Sequence, residues 1–334
     1  MASVWKYVKR IALGLAVIIL LLLIWGVGIE PRLVDYKEEV AVIPNLPPAW
    51  EGKRVALIAD FQVGMWLGNE DTVKKIVNRI IAERPAAVFV AGDFVYKPTD
   101  EDEPEDVELE DVRNFMPEVN EAVALLSPLV QANIPTYAVL GNHDYGMGYP
   151  DSVKNERLAI AVRQTLESSG VHIVDNAVAA LSPPVENNAP NNSTANAETL
   201  NPNAEIQTLY VVGIGSSYPR NAKPEIALAQ VPDGAARIIF MHEPDSFAAF
   251  PANAAPLALA GHTHGGQIRI PFTDDWSWMS LFVNEKVHAD GWISDFGQAG
   301  NRLYVNRGIG FSSFPIRINC RPELTIFTLR GENG

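Results

Sequence analysis

The sequence predicts an α/β fold: a four-layer αββα sandwich of two mixed β-sheets packed face to face and flanked by helices, preceded by an N-terminal transmembrane helix. Three observations predict it. An uncharged apolar run occupies residues 11–28. Short apolar runs alternate with helical segments through the first half of the chain, and further short runs fill the second half. Five of those runs stop at a polar loop carrying carboxylate, amide or imidazole groups.

The N-terminal run comes first. At a rise of about 1.5 Å per residue it spans roughly 27 Å, close to the hydrocarbon thickness of a bilayer. Lys6, Lys9 and Arg10 precede it, and Trp5, Tyr7 and Trp25 lie near its ends. The positive-inside rule keeps the short N-terminus cytoplasmic and puts the rest outside the cytoplasm, as a single-pass membrane protein. A cleaved signal peptide is the rival reading, but its apolar region is shorter, about 7–15 residues. A core helix of a globular domain is the bland reading, but such a helix usually keeps one polar face toward water, and this segment has none. Residues 1–28 therefore read as an anchor, 29–53 as a linker and first strand, and 54–330 as the main domain.

Along that domain, Arg54–Ala59 is an apolar strand that stops at Asp60. Val73, Ile76, Val77, Ile80 and Ile81 recur at helical spacing within Glu70–Glu83. Ala86–Ala91 is a second strand ending at Gly92-Asp93, followed by a helix over Val112–Gln131 with Pro117 near its start. Pro135–Leu140 is a third strand ending at Gly141-Asn142-His143-Asp144, and Val153–Ser168 a third helix. Such alternation indicates stacked βα units and a largely parallel sheet. Val171–Val174, Ala177–Leu181 and Gln207–Gly213 then read as a meander. Ala236–Met241 and Leu257–Ala260 repeat the strand-then-polar-loop pattern, and Ile268–Ile270, Arg302–Val305 and Leu324–Leu329 are the last strands.

Composition narrows the function. Of 334 residues, 47% are hydrophobic and 20% charged, enough to bury a core. The net charge of −14 argues against nucleic-acid binding, which needs a basic face. Nine acidic residues and no basic one fall in 100–111, within a loop insertion expected at 97–111. A second insertion is expected at 185–205, a polar low-complexity stretch without aromatics. The single cysteine, Cys320, excludes an internal disulfide and a cysteine zinc cluster, and its surroundings read as near the core.

The polar loops carry the chemistry. Asp60 with Gln62, Asp93, Asn142 with His143, His242, and His262 with His264 follow five apolar strands. Ligands of α/β sheets bind beyond strand carboxyl ends, and four of the six histidines lie in these loops. Mixed oxygen and imidazole donors suit divalent Mn, Fe, Zn or Mg. The donors suffice for two ions, which would lower the pKa of water and neutralise phosphoryl charge. Taken singly, Asp60, Asp93 and Asp144 could be helix N-caps; taken together, the pattern favours a site.

Asp60-Phe61-Gln62, Gly92-Asp93, Gly141-Asn142-His143-Asp144, Met241-His242-Glu243-Pro244 and Gly261-His262-Thr263-His264-Gly265-Gly266-Gln267 resemble, in order and spacing, the five-block signature of calcineurin-like metallophosphoesterases. The resemblance runs from Arg54 to Leu329. The anchor and the ending Gly308-Ile309-Gly310, Pro315-Ile316-Arg317 and Pro322-Glu323 resemble the bacterial membrane-associated phosphodiesterase branch. The resemblance implies that Asp93 bridges two divalent ions. Asp60, Gln62 and His264 complete the first site; Asn142, His242 and His262 complete the second. It further implies that His143 protonates the leaving oxygen, with Asp144 orienting its imidazole. The expected activity is hydrolysis of a phosphate ester, a diester by branch, with a lipid-linked substrate fitting an enzyme held at the bilayer.

The departure is Gln62, where the family usually has histidine. An amide oxygen is a harder, weaker ligand than imidazole and favours Mn or Mg over Zn. The alternative reading is a catalytically impaired, membrane-tethered binding protein on the same fold; an envelope protein whose acidic loop binds cations is a third. His172 reads as structural and His288 as surface or packing. Trp276, Trp278, Met279, Phe282 and Trp292 read as packed core or as an apolar platform for an acyl chain or bilayer. Arg220, Arg317 and Arg321 read as surface ion pairs or as phosphate contacts.

Overall fold

The computed structural model describes residues 2–96, 109–183, 208–271, 273, 277–281 and 288–332. The expected insertion at 185–205 lies outside the described residues, as do 97–108 of the one at 97–111; Trp276 and Phe282 lie outside them too.

The chain opens with helix α1 (Ala2–Leu23), which continues as a π-helical turn over Ile24–Ile29 and a short 3₁₀ turn over Glu30–Arg32. This N-terminal helix is long and apolar enough to cross a membrane. The order after it is β1 (Asp35–Val42), β2 (Arg54–Ile58), α2 (Glu70–Glu83), β3 (Ala87–Ala91), α3 (Leu109–Gln131), β4 (Thr136–Val139), α4 (Glu156–Ser168) and β5 (His172–Ile173). Then come β6 (Ala177–Leu181), β7 (Leu209–Gly213), α5 (Pro224–Leu228), β8 (Arg237–Phe240), β9 (Ala258–Ala260), β10 (Gly291–Ile293), β11 (Leu303–Val305) and β12 (Glu323–Arg330).

Among the described residues the strands form two six-stranded sheets, β1-β12-β2-β3-β4-β5 and β10-β11-β9-β8-β7-β6. In the first, β2 to β5 are parallel, and β12 enters antiparallel to β2 with β1 parallel to it. In the second, β7, β8, β9 and β11 are parallel and β6 and β10 are antiparallel edges. The mixed, two-sheet architecture expected from the sequence is therefore the one present.

Side chains alternate across each strand, and this alternation builds the layers. On β2, Ala56 and Ile58 face the helices with Val88 and Val90 of β3; they pack under Ile76 and Ile80 of α2, Leu126 of α3 and Val162 of α4. Val55 and Leu57 turn the other way, with Phe89, into a dry layer shared with Val211, Ile238, Phe240 and Leu259 of the second sheet. The outer face of that sheet packs Ile239, Met241 and Val305 against Ala227 of α5 and Phe247 and Phe250. α4 starts at Glu156 because Asn155 caps it, its side chain accepting from the Leu158 N–H at 2.9 Å.

Two expectations are corrected. The three runs after α4 are not a meander: β5 extends the first sheet beside β4, and β6 and β7 belong to the second. The switch is made at Asp175-Asn176, where Asn176 takes φ 53° and bonds across to Asn221. Ile268–Ile270 is not a strand. It makes isolated bridges, Ile268 to Ile318 and Arg269 to Ser277, because its neighbours are loops.

Candidate metal centre

The parallel strands of both sheets end at one place. β2, β3 and β4 deliver Asp60, Asp93 and Asn142; β8 and β9 deliver His242, His262 and His264. The backbone bends sharply to present them. Asp60, Gln62, Asp93, His262 and His264 all have positive φ, between 49° and 71°. A non-glycine residue there costs about 1 kcal/mol or more, and such strain gathers at functional sites. Cross-loop bonds hold it: Asp60 N–H to the Gly92 carbonyl at 3.0 Å, Gln62 N–H to the Asp93 carbonyl at 3.0 Å, and Gly261 N–H to the His242 carbonyl at 3.0 Å.

Two donor groups result. Asp93, His242 and His262 place ligand atoms within 4.8 Å of one another, and so do Asp60, Asp93 and His264. Asp93 belongs to both. His242 Nδ1 lies 2.7 Å from the Ala91 carbonyl, which fixes the proton there and turns Nε2 into the site. That Nε2 sits 3.2 Å from Asp93 Oδ2, 3.0 Å from Asn142 Oδ1 and 3.2 Å from His262 Nδ1. Asn142 is locked in this orientation by donating its Nδ2–H to the Met147 carbonyl at 2.5 Å. Lone pairs thus converge on one point, an arrangement that a cation satisfies.

The electrostatics around Asp93 favour positive charge at this point. Burial works to lower the pKa of His242, yet Asp93, Glu243 and Asp60 raise it well above its ordinary value. Burial and then the neighbouring His242 push His262 down to about 3, and burial with Arg317 holds His264 well below normal. Both rings are neutral, with lone pairs to offer. Burial pushes the Asp60 carboxyl up to about 7. Burial acts on Asp93 likewise, but His242 and His143 outweigh it and keep Asp93 ionised. Gln62 Oε1 and His264 Nδ1 are buried without a hydrogen-bond partner among the described residues. The donor set therefore fits divalent cations.

Gln62 is fully buried, and its Nε2–H donates to Asp93 Oδ2 at 2.7 Å. Asp144 is fully buried beside them. Its carboxylate accepts four main-chain N–H groups, from Asp93 at 3.0 Å, Phe94 at 2.9 Å, Val95 at 3.4 Å and Gly141 at 2.8 Å. It braces the β3 and β4 loops against each other. His143 donates its backbone N–H to Asp93 Oδ1 at 2.9 Å and stacks its ring on Tyr96, centroids 5.3 Å apart.

Above the donors opens a cavity of about 600 Å³. His143, Tyr218 and His262 line its polar side; Trp278, Met279 and Phe314 make an apolar wall. Other expectations resolve away from it. Trp292 packs edge-on to Tyr304 and Phe327 and donates to Glu39 at 2.9 Å, so it is no platform. His288 stacks on Phe296, and His172 on Tyr137. Arg220 and Arg321 are exposed. Arg317 is neither a surface ion pair nor a phosphate contact. It is fully buried and donates to the carbonyls of Gly310 at 2.6 Å, Arg307 at 2.9 Å and Gly308 at 3.3 Å.

Tyr218 and Glu243 escape a sequence reading aimed at ligands. The Tyr218 hydroxyl lies 3.0 Å from His262 Nε2. Glu243 accepts from the Ser216 hydroxyl and from the Ser217 N–H at 2.9 Å, fixing the loop that carries Tyr218. The only prior signal for Glu243 is its place directly after His242.

Comparison with known proteins points one way. The family model described as calcineurin-like phosphoesterase matches residues 53–266. The uncharacterised metallophosphoesterase YkuE of Bacillus subtilis is 25% identical over 305 residues, 91% of this chain and 88% of that protein. The phosphodiesterase YaeI of Escherichia coli is 31% identical over 206 residues, 61% of this chain and 62% of that protein. The UDP-2,3-diacylglucosamine pyrophosphatase LpxG of Chlamydia muridarum is 23% identical over 338 residues, 91% of each chain.

Proposed function

The chain belongs to the calcineurin-like phosphoesterase family and is a phosphoric ester hydrolase, and from that premise we propose a membrane-anchored phosphodiesterase with a two-ion centre acting on a lipid-linked phosphate ester outside the cytoplasm. The observation that carries the two-ion reading is Asp93, whose carboxylate serves both donor groups. Asp60, Gln62 and His264 would hold one ion with it, and Asn142, His242 and His262 the other. Divalent ions in such a site activate water and neutralise charge on phosphorus.

The chain's own residues do the rest. Ala91, Met147 and the Asp144 brace set the ligand orientations before substrate arrives. His143, on the cavity wall above Asp93, gives its proton to the departing oxygen, a role worth about 10²–10⁴ in rate. Tyr218 holds the His262 ring from behind. Trp278, Met279 and Phe314 offer apolar surface to a chain attached to the phosphate. The relatives support this choice: one is named a phosphodiesterase, and another is named for a diacylated sugar nucleotide. Residues 1–28, with basic residues before the apolar run, set the membrane topology.

The test is hydrolysis of an aryl phosphodiester and the matching monoester by the full chain with added manganese, with and without EDTA. Diester turnover that EDTA abolishes, and that falls at least 10²-fold in His143→Ala and Asp93→Asn, is the expected result. Monoester preference or EDTA resistance would refute it. One observation favours a second reading, a tethered binding protein without turnover: Gln62 presents an N–H to Asp93 at 2.7 Å. Full metal content with no hydrolysis of either ester would select that reading.

A further inference from the structure

The end of the apolar helix is not a loose tether. Gly26 lies inside the uncharged run 11–28 and is buried. A side chain there would meet Ile316 and Ile318, each at 2.8 Å. The Gly26 carbonyl accepts the Arg317 N–H at 2.8 Å. Four residues on, buried Glu30 accepts from Trp25 Nε1 at 2.5 Å and from the Cys320 N–H at 2.6 Å. The last turn of the helix is thus bolted to residues 316–320.

The same loop forms the cavity rim. Ser312, Ser313 and Phe314 line the cavity. Gln267, beside the His262–His264 loop, donates to the carbonyls of Phe314 at 3.0 Å and Ile316 at 3.3 Å. Whatever packs against the last apolar turn of a membrane-spanning helix lies at the edge of the hydrocarbon. Around the mouth, large apolar side chains point outward: Phe314 is 57% exposed, Leu281 68% and Tyr149 59%, with Ile270 exposed beside them. The bridges Ile268–Ile318 and Arg269–Ser277 set three of these segments side by side. An exposed apolar patch next to a membrane helix suits the bilayer interface, where aromatic side chains concentrate.

We propose that this rim is a bilayer-docking surface: the clamp at Gly26 and Glu30 sets the domain on the membrane with Phe314, Ile270, Leu281 and Tyr149 in the lipid interface, so that the cavity opens to the bilayer and draws substrate from it. The inference rests on the anchored reading above, but not on catalysis.

The experiment uses the full chain in phosphatidylcholine–phosphatidylglycerol vesicles. The only native cysteine is buried, so Phe314→Cys, Leu281→Cys and Gln131→Cys each take one environment-sensitive fluorophore. Gln131 ends α3 just before β4, at the end of the sheet away from the site, and is exposed. Lipids brominated near the headgroup should quench the label at 314 and at 281 at least about twofold while leaving that at 131 unchanged. Adding Gly26→Leu should return the label at 314 to the level at 131, because the clamp can no longer close. A label at 314 and 281 that stays as wet as at 131 overturns the docking surface, and quenching at 314 that survives Gly26→Leu overturns the clamp. Because no turnover is read, an inactive but docked protein would sink only the enzyme, and an active protein with a wet rim would sink only this inference.

Discussion

Gly141→Ala tests whether the position of the Asp93 carboxylate governs activity. Gly141 ends the β4 strand turn, and its backbone does not need a positive φ, so alanine is conformationally acceptable there. The obstacle is space. A Cβ at 141 would lie 2.2 Å from Asp93 Oδ1, 2.7 Å from Asp93 N and 2.8 Å from its Cγ. Reaching 3.0 Å, the closest approach real Cβ atoms show, requires at least 0.8 Å of movement. Asp93 cannot give easily. Its Oδ1 accepts the His143 N–H at 2.9 Å, and its N–H is held by Asp144 at 3.0 Å. Such a shift lies in the range where misplacing a reacting group costs about 10²-fold. Overpacking strain adds about 1–3 kcal/mol of destabilisation, too little to unfold a typical domain. The expected result is a folded protein with diesterase kcat/KM down about 100-fold and reduced metal content. The assay pairs aryl phosphodiester kinetics with metal analysis and a urea melt. Activity within about threefold of wild type, with the metal retained, would refute the claim that Asp93 is held to sub-ångström tolerance.

Three further outcomes are expected. Gln62→His should raise the affinity for one ion and shift preference toward zinc, since imidazole is the softer ligand; metal analysis after dialysis against mixed zinc and manganese checks it, and an unchanged ratio would rule out Gln62 as a ligand. Arg317→Met should cost about 3–5 kcal/mol in urea denaturation, because the carbonyls of Arg307, Gly308 and Gly310 lose their buried donor; an unchanged midpoint with weaker substrate binding would restore the phosphate-contact reading. Burial, against the pull of Arg163, raises the buried Asp175 carboxyl to about 6 from an ordinary 3.8. The folded state then binds its proton more tightly than the unfolded chain, so stability from this group is full below about pH 4 and is lost as pH climbs through 6, about 3 kcal/mol in all. Stability of Asp175→Asn relative to wild type should therefore rise from pH 4 to pH 7; a flat difference would show that burial does not dominate there.

What the sequence reveals is the part of the site attached to strand ends. Asp60, Asp93, Asn142, His242 and His262 each follow an apolar run within a few residues, and the run itself announces a buried strand. Tertiary hand-overs leave no such mark. β5 is two residues long, and nothing in Val171–Val174 says that it pairs with β4 while the next strand joins the other sheet. Ile268–Ile270 has strand composition but only loops beside it. Arg317 looks like any surface arginine, because the carbonyls it bonds come from residues 264, 307, 308, 310 and 320 and converge only in the fold. Asp144 is visible as part of a motif, but its partners are backbone N–H groups, which carry no sequence signature.

The two sheets divide the labour of the site. Carboxylate and amide donors come from the first sheet, and all three imidazole donors of the two groups come from the second. Neither sheet alone can assemble either donor group, since each group pairs Asp93 with a histidine from the opposite layer. Their relative position is set by the dry layer between the sheets, where Phe89 meets Phe240 with centroids 5.3 Å apart. Packing at this density does not deform smoothly, so the core fixes the distance between carboxylate and imidazole before any ligand arrives. The loops then need only short hydrogen bonds and a few strained residues to aim the side chains. This division explains why left-handed residues crowd the centre while the strands feeding it are regular: precision comes from the sheet–sheet contact, and the bent backbone converts it into ligand geometry.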